Sequence, residues 1–468
     1  MKKAILITLI FLIITSAIGQ TNWQHGKLGV SANGHYLIYD DGTPFFWLGD
    51  TGWELFHRLK LKEIDSYLDN RQKKGFNVIQ AVVLAEFNGL IKPNQYGETP
   101  LLNLNPETPN EKYFQFVDTV VRLASSKGLY MALLPTWGDK VTQLWGEGPV
   151  VFNPENAYTY GKWIGTRYKD NLNIIWILGG DRPPVKDSSD WRPVWRAMAK
   201  GILEGTNNSA LITYHPSGGD MSTSQYIHKE AWLDLNMIQS GHGSGHDVPV
   251  WNLVQRDWNL VPVKPTLDAE PNYEDHPVNP WPTWKPENGY FRDYDVRKQT
   301  YRSVFSGACG VTYGHHSVWQ FWSPREEKVN YADRYWTDAI DRPGAFQVGY
   351  LKKLIESRPQ LGRIPDQSII VKGQGEKSEY ICAFRDSTGS YEMIYIPFGK
   401  ALTINTSHIN SEKLNVWWFN PRTAESFSIG VSPNKKIMDL TTPTLGFEND
   451  WVLIVDGARN NYPILNLR

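Results

Sequence analysis

Cysteine is nearly absent from this chain of 468 residues: Cys309 and Cys382 are its only two. Two thiols cannot make a disulfide framework, and no Cys–His spacing suggests a structural zinc site. One cross-link between them is open, but two buried free thiols is the reading adopted here. Net charge is equally scarce, at a formal −1 at pH 7. That balance gives no electrostatic case for nucleic acid as a partner. There is no long charge run, no internal repeat and no low-complexity linker. There is also no apolar run long enough to span a membrane. The N-terminal apolar stretch, Ala4 to Ile18, follows Lys2 and Lys3 and ends in the small-x-small run Ala17-Ile18-Gly19. This is the pattern of a secretory signal, residues 1–19, cut before Gln20, with no cysteine nearby to carry a lipid. The expectation is an exported protein, periplasmic or secreted, with no membrane attachment after cleavage. The oligomeric state is left open.

Aromatic residues, in contrast, are abundant: 13% of the chain, with 20 Trp and 23 Tyr. Such flat, amphipathic rings suit stacking on sugar rings, or a tryptophan-rich core. From Phe45 the chain alternates short apolar runs with helical patterns. Strands are expected at Phe45–Leu48, Val78–Leu84, Tyr130–Pro135, Ile174–Leu178, Ala210–Tyr214, Met237–Gln239, Pro265–Ala269 and Gly310–Tyr313. Stretches such as Lys62–Lys74, Glu111–Lys127, Pro154–Lys169 and Trp191–Glu204 read as helices between them. Parallel βα units in this number predict an α/β fold, a (β/α)₈ barrel, over residues 20–364. From about residue 365 short strands separated by Gly, Asn, Asp and Pro turns predict a C-terminal all-β sandwich over 365–468.

Polar or aromatic groups recur where the expected barrel strands end. Asp50 and Trp53 follow the first strand, Glu86 the second and Trp137 the third. Asp181, His215, Gln239 with His242, Glu270, and His315-His316 follow the next five. Barrels build their active sites at this end of the strands. Asp181 and Glu270, after the fourth and seventh strands, would face each other across the mouth. Two carboxyl groups flanking one bond are what glycosidic cleavage requires. One protonates the leaving oxygen, and the other attacks the anomeric carbon or activates water. Trp53, Trp137, Trp319 and Trp322 are candidates for sugar contact, with Asp50, Glu86, His215, Gln239, His242, His315 and His316 for the hydroxyls. Each has a plainer alternative: Asp181 or Asp50 as a helix cap, Glu270 in a loop salt bridge, Glu86 solvated, His315-His316 ordering a loop. His242 and His246 are four apart, but in a Gly-rich stretch that argues against a metal site. No cofactor is expected.

At these residues the sequence resembles a known family. Phe46-Trp-Leu-Gly-Asp-Thr-Gly-Trp-Glu-Leu-Phe56, Leu134-Pro-Thr-Trp-Gly138, Trp176-Ile-Leu-Gly-Gly-Asp181 and Glu270-Pro-Asn-Tyr-Glu274 resemble the apiosidase-like catalytic domain, glycoside hydrolase family 140. The C-terminal region resembles the collagen-binding-type β domain that usually follows it, although nothing in its sequence indicates a triple-helix groove. The resemblance implies a retaining exo-glycosidase that releases D-apiose from side chains of the plant pectin rhamnogalacturonan II. It also implies Asp181 as acid/base and Glu270 as nucleophile. Related barrels usually place Asn-Glu where this chain has Gly180-Asp181, which shortens the acid and removes a usual partner of the sugar 2-hydroxyl. Two other readings stand beside this one. The first is another cell-wall specificity, such as an arabinofuranosidase or an endo-β-glycanase. The second is a non-catalytic carbohydrate-binding surface protein.

Overall fold

The computed structural model describes residues 22–219, 221–278 and 284–463. The segment read as a secretory signal, residues 1–19, lies outside them. The barrel is built from eight strands: β1 (Trp47–Thr51), β2 (Val78–Val82), β3 (Tyr130–Leu134), β4 (Ile174–Gly179), β5 (Ile212–His215), β6 (Asn236–Gln239), β7 (Thr266–Asp268) and β8 (Gly310–Tyr313). They pair in parallel around a curled sheet in the order β5-β4-β3-β2-β1-β8-β7-β6. The remaining seam, between β5 and β6, is closed by isolated hydrogen bonds, one of them backbone to backbone from the Asp234 N–H to Ile212 O at 2.9 Å. The Ile212 N–H donates to the Asp234 carboxylate at 2.7 Å, and the Thr213 hydroxyl donates to Leu235 O at 2.8 Å.

Both faces of these strands are apolar, which is why they read as continuous hydrophobic runs. Trp47, Val78, Val82, Tyr130, Ala132, Ile175, Ile177, Met237 and Leu267 fill the interior. Ile79, Met131, Leu133, Trp176, Leu178 and Tyr214 pack outward beneath the helices. Helices Leu61–Lys73, Glu111–Ser126, Pro154–Tyr168 and Arg192–Gly205 fall within a residue or so of the expected ones. Asn110 and Asn153 cap the second and third of these through their side chains.

One boundary differs, with a consequence for the site. Pro44–Phe45 pairs with Leu37–Tyr39 in a separate three-stranded sheet, and β1 runs on to Thr51. Asp50 is therefore a strand residue, not a group at the mouth. Its carboxylate points outward to helix Leu61–Lys73, where it accepts from Arg71 Nε at 2.7 Å and from the Tyr67 hydroxyl. Acid and base are both fully buried. A carboxylate is tolerated inside a strand because its charge is matched there. The expectation that Asp50 binds substrate is corrected accordingly.

The C-terminal unit is all-β, with a six-stranded and a three-stranded sheet, each antiparallel throughout. The larger sheet is buried on both faces except along its edge strand Ser426–Pro433, most of which is exposed. Cys382, Phe384, Met393, Tyr395, Trp417, Phe419, Val452 and Ile454 face the helical layer of the barrel. Ala383, Ile394, Ile396, Val416, Trp418, Leu453 and Val455 fill the space between the two sheets. The Trp417-Trp418 pair is thus core on both faces. Helix Asp293–Phe305 lies buried along nearly its whole length between barrel and sheet. Arg297 on that helix is paired with Asp450 of the β unit at 3.0 Å. Cys309 and Cys382 are buried free thiols.

Candidate active site

Strand β4 ends in a turn that only glycine can make. Gly179, Gly180 and Asp181 have φ of +83°, +108° and +54°. A Cβ on Gly179 would lie 2.3 Å from His215 O, and one on Gly180 would lie 2.8 Å from the Trp137 ring. A side chain at position 180 is excluded by this geometry. Aspartate tolerates the left-handed conformation better than most residues, and the turn sets its carboxyl at the barrel mouth. Trp145 Nε1 donates to Asp181 Oδ2 at 3.1 Å, and the Gly218 N–H donates to Oδ1 at 3.4 Å. The Arg182 guanidinium lies 3.3 Å from Oδ2. Burial raises the pKa of Asp181 against the pull of Arg182, and the negative charge of Glu270 adds to the rise.

Glu270 follows β7 and is almost fully buried. His215 Nε2 lies 2.9 Å from its Oε2, and His242 Nε2 lies 3.3 Å from its Oε1. Burial alone would raise the pKa of Glu270. The contacts with His215 and His242 outweigh it and hold the carboxyl well below the usual carboxylate range. His242 adopts a left-handed φ of +67°, fixed by its N–H donating to Asn272 Oδ1 at 2.7 Å. Its ring stacks on His276 with centroids 4.4 Å apart and meets Tyr273 edge-on at 4.5 Å. The mouth therefore holds two nearby carboxyl groups with opposite tendencies: one favours its proton and the other its charge. That division suits an acid and a nucleophile or base.

The other expected residues divide into two sets. Trp53 and Trp137 lie 5.4 Å apart, and Trp53 meets the His215 ring at 5.4 Å, so these three rings form one wall. Gln239 is buried beside Gly218, and its carbonyl oxygen has no partner among the described residues. Glu86 is close enough to Asp181 to feel its charge. Burial pushes its pKa well up, with Glu54, Asp139 and Asp181 adding to the shift. Trp319 is a buried ring in the same interior cluster as Trp53 and Trp137.

The second set is occupied elsewhere. His315 Nδ1 accepts from the Ser317 N–H at 3.0 Å, and its Nε2 faces Asp275 at 3.2 Å. His316 Nε2 faces Asn330 O at 2.8 Å, and its Nδ1 accepts from Trp319 Nε1 at 3.4 Å. Both rings are fully buried with both nitrogens engaged, so they order the loop after β8 and have none left for a sugar hydroxyl. Trp322 meets Tyr335 at a tilt with centroids 4.7 Å apart and lies under Lys328 at 5.4 Å, not among the rings of the site. These three substrate-binding expectations are corrected. Trp145, Arg182, Tyr273 and His276 belong to the site and were not expected. Tyr273 lies within a quoted motif and Arg182 directly follows one, whereas Trp145 carries no signal. Among the described residues no group of three or more His, Cys, Asp or Glu side chains is placed to hold a metal ion.

Comparison with known proteins identifies the family of the chain. Residues 31–361 match the family described as "Apiosidase-like, catalytic domain", and residues 364–456 match "Putative collagen-binding domain of a collagenase". No curated protein matches the chain. Among solved structures, a glycoside hydrolase family 5 protein from Bacteroides vulgatus ATCC 8482 is 33% identical, with 96% of each chain covered and a TM-score of 0.87. A second, described as a glycoside hydrolase, is 34% identical over 95% of this chain and 100% of that one, with a TM-score of 0.86.

Proposed function

Since this chain belongs to the family of the apiosidase-like catalytic domain and is a glycoside hydrolase, we propose that it is an exo-acting, retaining enzyme that releases terminal D-apiose from side chains of the plant pectin rhamnogalacturonan II. The observation that carries this reading is the pair Asp181 and Glu270, on facing strand ends with pKa values pushed in opposite directions. In the first step the Glu270 carboxylate attacks the anomeric carbon. The glycosidic C–O bond breaks, and the Asp181 proton passes to the departing oxygen. In the second step the Asp181 carboxylate takes a proton from water, whose oxygen displaces Glu270 and regenerates the free enzyme. Trp53 and Trp137 provide ring faces and Gln239 a hydrogen bond for one sugar beside the carboxyl groups, while His215, with both nitrogens engaged, acts through Glu270. The short acid on a side-chain-free turn favours a compact, branched furanose. The reading goes with export, because the polymer lies outside the cell.

The test is incubation with rhamnogalacturonan II oligosaccharides, with identification of the released monosaccharide and of its first-formed anomer by NMR. Apiose released with retained configuration is expected. Release of another sugar, internal cleavage, or an inverted first anomer would each refute the corresponding part of the proposal.

A further inference from the structure

The loop between β3 and helix Pro154–Tyr168 carries an exposed tryptophan that is nevertheless held in place. Trp145 is 39% exposed. Its N–H donates to Asp181 Oδ2 at 3.1 Å, and its carbonyl accepts from Arg182 Nη2 at 2.6 Å. The Arg182 guanidinium lies 4.3 Å from the indole centroid, is itself 1% exposed, and also donates to Asp181 O at 2.8 Å. The next residue, Gly146, has φ +86°, and a Cβ there would lie 2.6 Å from Arg182 Nη2 and 3.1 Å from Asp139 Cβ. Two residues further, the Gly148 N–H donates to Asp139 Oδ2 at 2.9 Å, and Asp139 is paired with Lys140 at 2.8 Å, both fully buried. A loop tip normally leaves such a ring free to move. Here a buried ion pair and a buried arginine hold it beside one carboxyl group, with much of the indole open to solvent.

We propose that Trp145 is the stacking platform for the sugar on the leaving-group side of the scissile bond, and that its indole N–H positions Asp181. The inference rests on the reading of Asp181 as the general acid. The acid must reach the glycosidic oxygen, so a ring fixed against the acid and open outward meets the part of the substrate that departs. Indoles stack on the C–H-rich faces of sugar rings. One face of this indole covers Arg182, Lys186 Nζ lies 5.8 Å from its centroid, and the exposed remainder of the ring is what such a sugar would meet. The N–H favours the ionised form of Asp181, as does Arg182. Trp145 thereby links occupancy of the leaving-group position to the state of the acid. It acts on the chemistry through Asp181 and on specificity by its own contact.

Two variants of the full chain test this. Trp145→Phe keeps a ring but removes the donor. The basic limb of its kcat/KM–pH profile is expected at higher pH than in the parent, because Asp181 loses a bond that favours its charged form. Trp145→Ala also removes the platform. Its kcat/KM is expected to fall about 10-fold or more on an oligosaccharide whose leaving group is a sugar, and less than about 3-fold on a 4-nitrophenyl glycoside of the same released sugar. An unmoved basic limb in Trp145→Phe, or equal losses on both substrates in Trp145→Ala, overturns the inference. Asp181→Ala separates it from the underlying reading. If azide restores turnover of the nitrophenyl glycoside by Asp181→Ala, the acid/base assignment stands, and unaffected Trp145 variants refute the platform alone. If azide restores nothing, the assignment of Asp181 itself fails.

Discussion

His215 touches both halves of the carboxyl pair: its Nε2 lies 2.9 Å from Glu270 Oε2, and its Nδ1 faces the Asp181 backbone N–H at 3.4 Å. The same Nδ1 lies 3.0 Å from Pro216 O, so the ring is fixed from the β5 side as well. After burial, which opposes it, His215 is the foremost group holding Glu270 ionised. In His215→Asn the Glu270 pKa should rise toward the ordinary carboxylate range. A nucleophile must be ionised, so the acidic limb of kcat/KM should move to higher pH, and the maximum should fall by about 100-fold, as for loss of a preorganised donor. A full pH–rate profile checks this. An acidic limb that stays in place would exclude His215 as the group that keeps Glu270 charged.

The two carboxyl groups should fail differently. Glu270→Gln removes the negative charge of the attacking group without changing its shape and should abolish nearly all turnover on every substrate, with the fold unchanged by circular dichroism. Asp181→Asn removes only proton transfer. Its loss should be about 100-fold or more on sugar leaving groups and much smaller on activated aryl glycosides, which depart without a proton. Steady-state kinetics on both substrate types decides the matter. Equal losses in Asp181→Asn would assign that residue some other task.

How far the site can be read from sequence depends on how local its causes are. The barrel strands are legible because each is apolar on both faces, and Asp181 and Glu270 are legible because each directly follows such a run. Asp50 was misplaced because the apolar run stops at Leu48 while the strand does not. The charge at 50 is matched by Arg71, a helix residue 21 positions away. His315 and His316 look like site residues by position, but Asp275 and the Asn330 carbonyl, 40 and 14 residues off, engage their nitrogens. Trp145 lies in a loop without periodicity, and its anchor is Arg182, 37 residues downstream. Pairings of this length arise only once the barrel has closed.

Gly180 makes a direct test of the turn that sets Asp181 at the mouth. Gly180→Asn would place an amide side chain directly before the acid. At φ +108° no L side chain is comfortable, and Trp137 leaves no room for a Cβ. The variant should lose about 1–3 kcal/mol of stability by backbone strain and lose activity as the turn shifts, instead of gaining a 2-hydroxyl partner. Thermal melts and kcat/KM together check this. Undiminished activity would mean that the turn is more adaptable than its geometry implies.

Far from the site, Glu392 offers a prediction about stability and pH. It lies on the strand Tyr391–Ile396, on the face that includes Ile394 and Ile396, and so points into the core between the two sheets. Among the described residues neither carboxyl oxygen has a partner. Arg385, opposite it in register, is engaged instead by Asp366 at 2.7 Å. Burial, with the charge of Asp366 adding and Arg385 opposing, pushes the pKa of Glu392 up to about 8. In the unfolded chain it would be about 4.3. Below that value both states are protonated and the group is neutral toward folding. As pH rises toward 8 the unfolded chain releases the proton while the folded one keeps it, so stability falls by at most about 1.4 kcal/mol per unit and by a few kcal/mol in all. Glu392→Met, an apolar side chain of similar length, should therefore melt at a higher temperature than the parent at pH 8, with the gain shrinking steadily toward pH 4. Thermal melts of both proteins across this range measure the difference directly. A difference in melting temperature that stays constant with pH would show that Glu392 is not held protonated in the folded state.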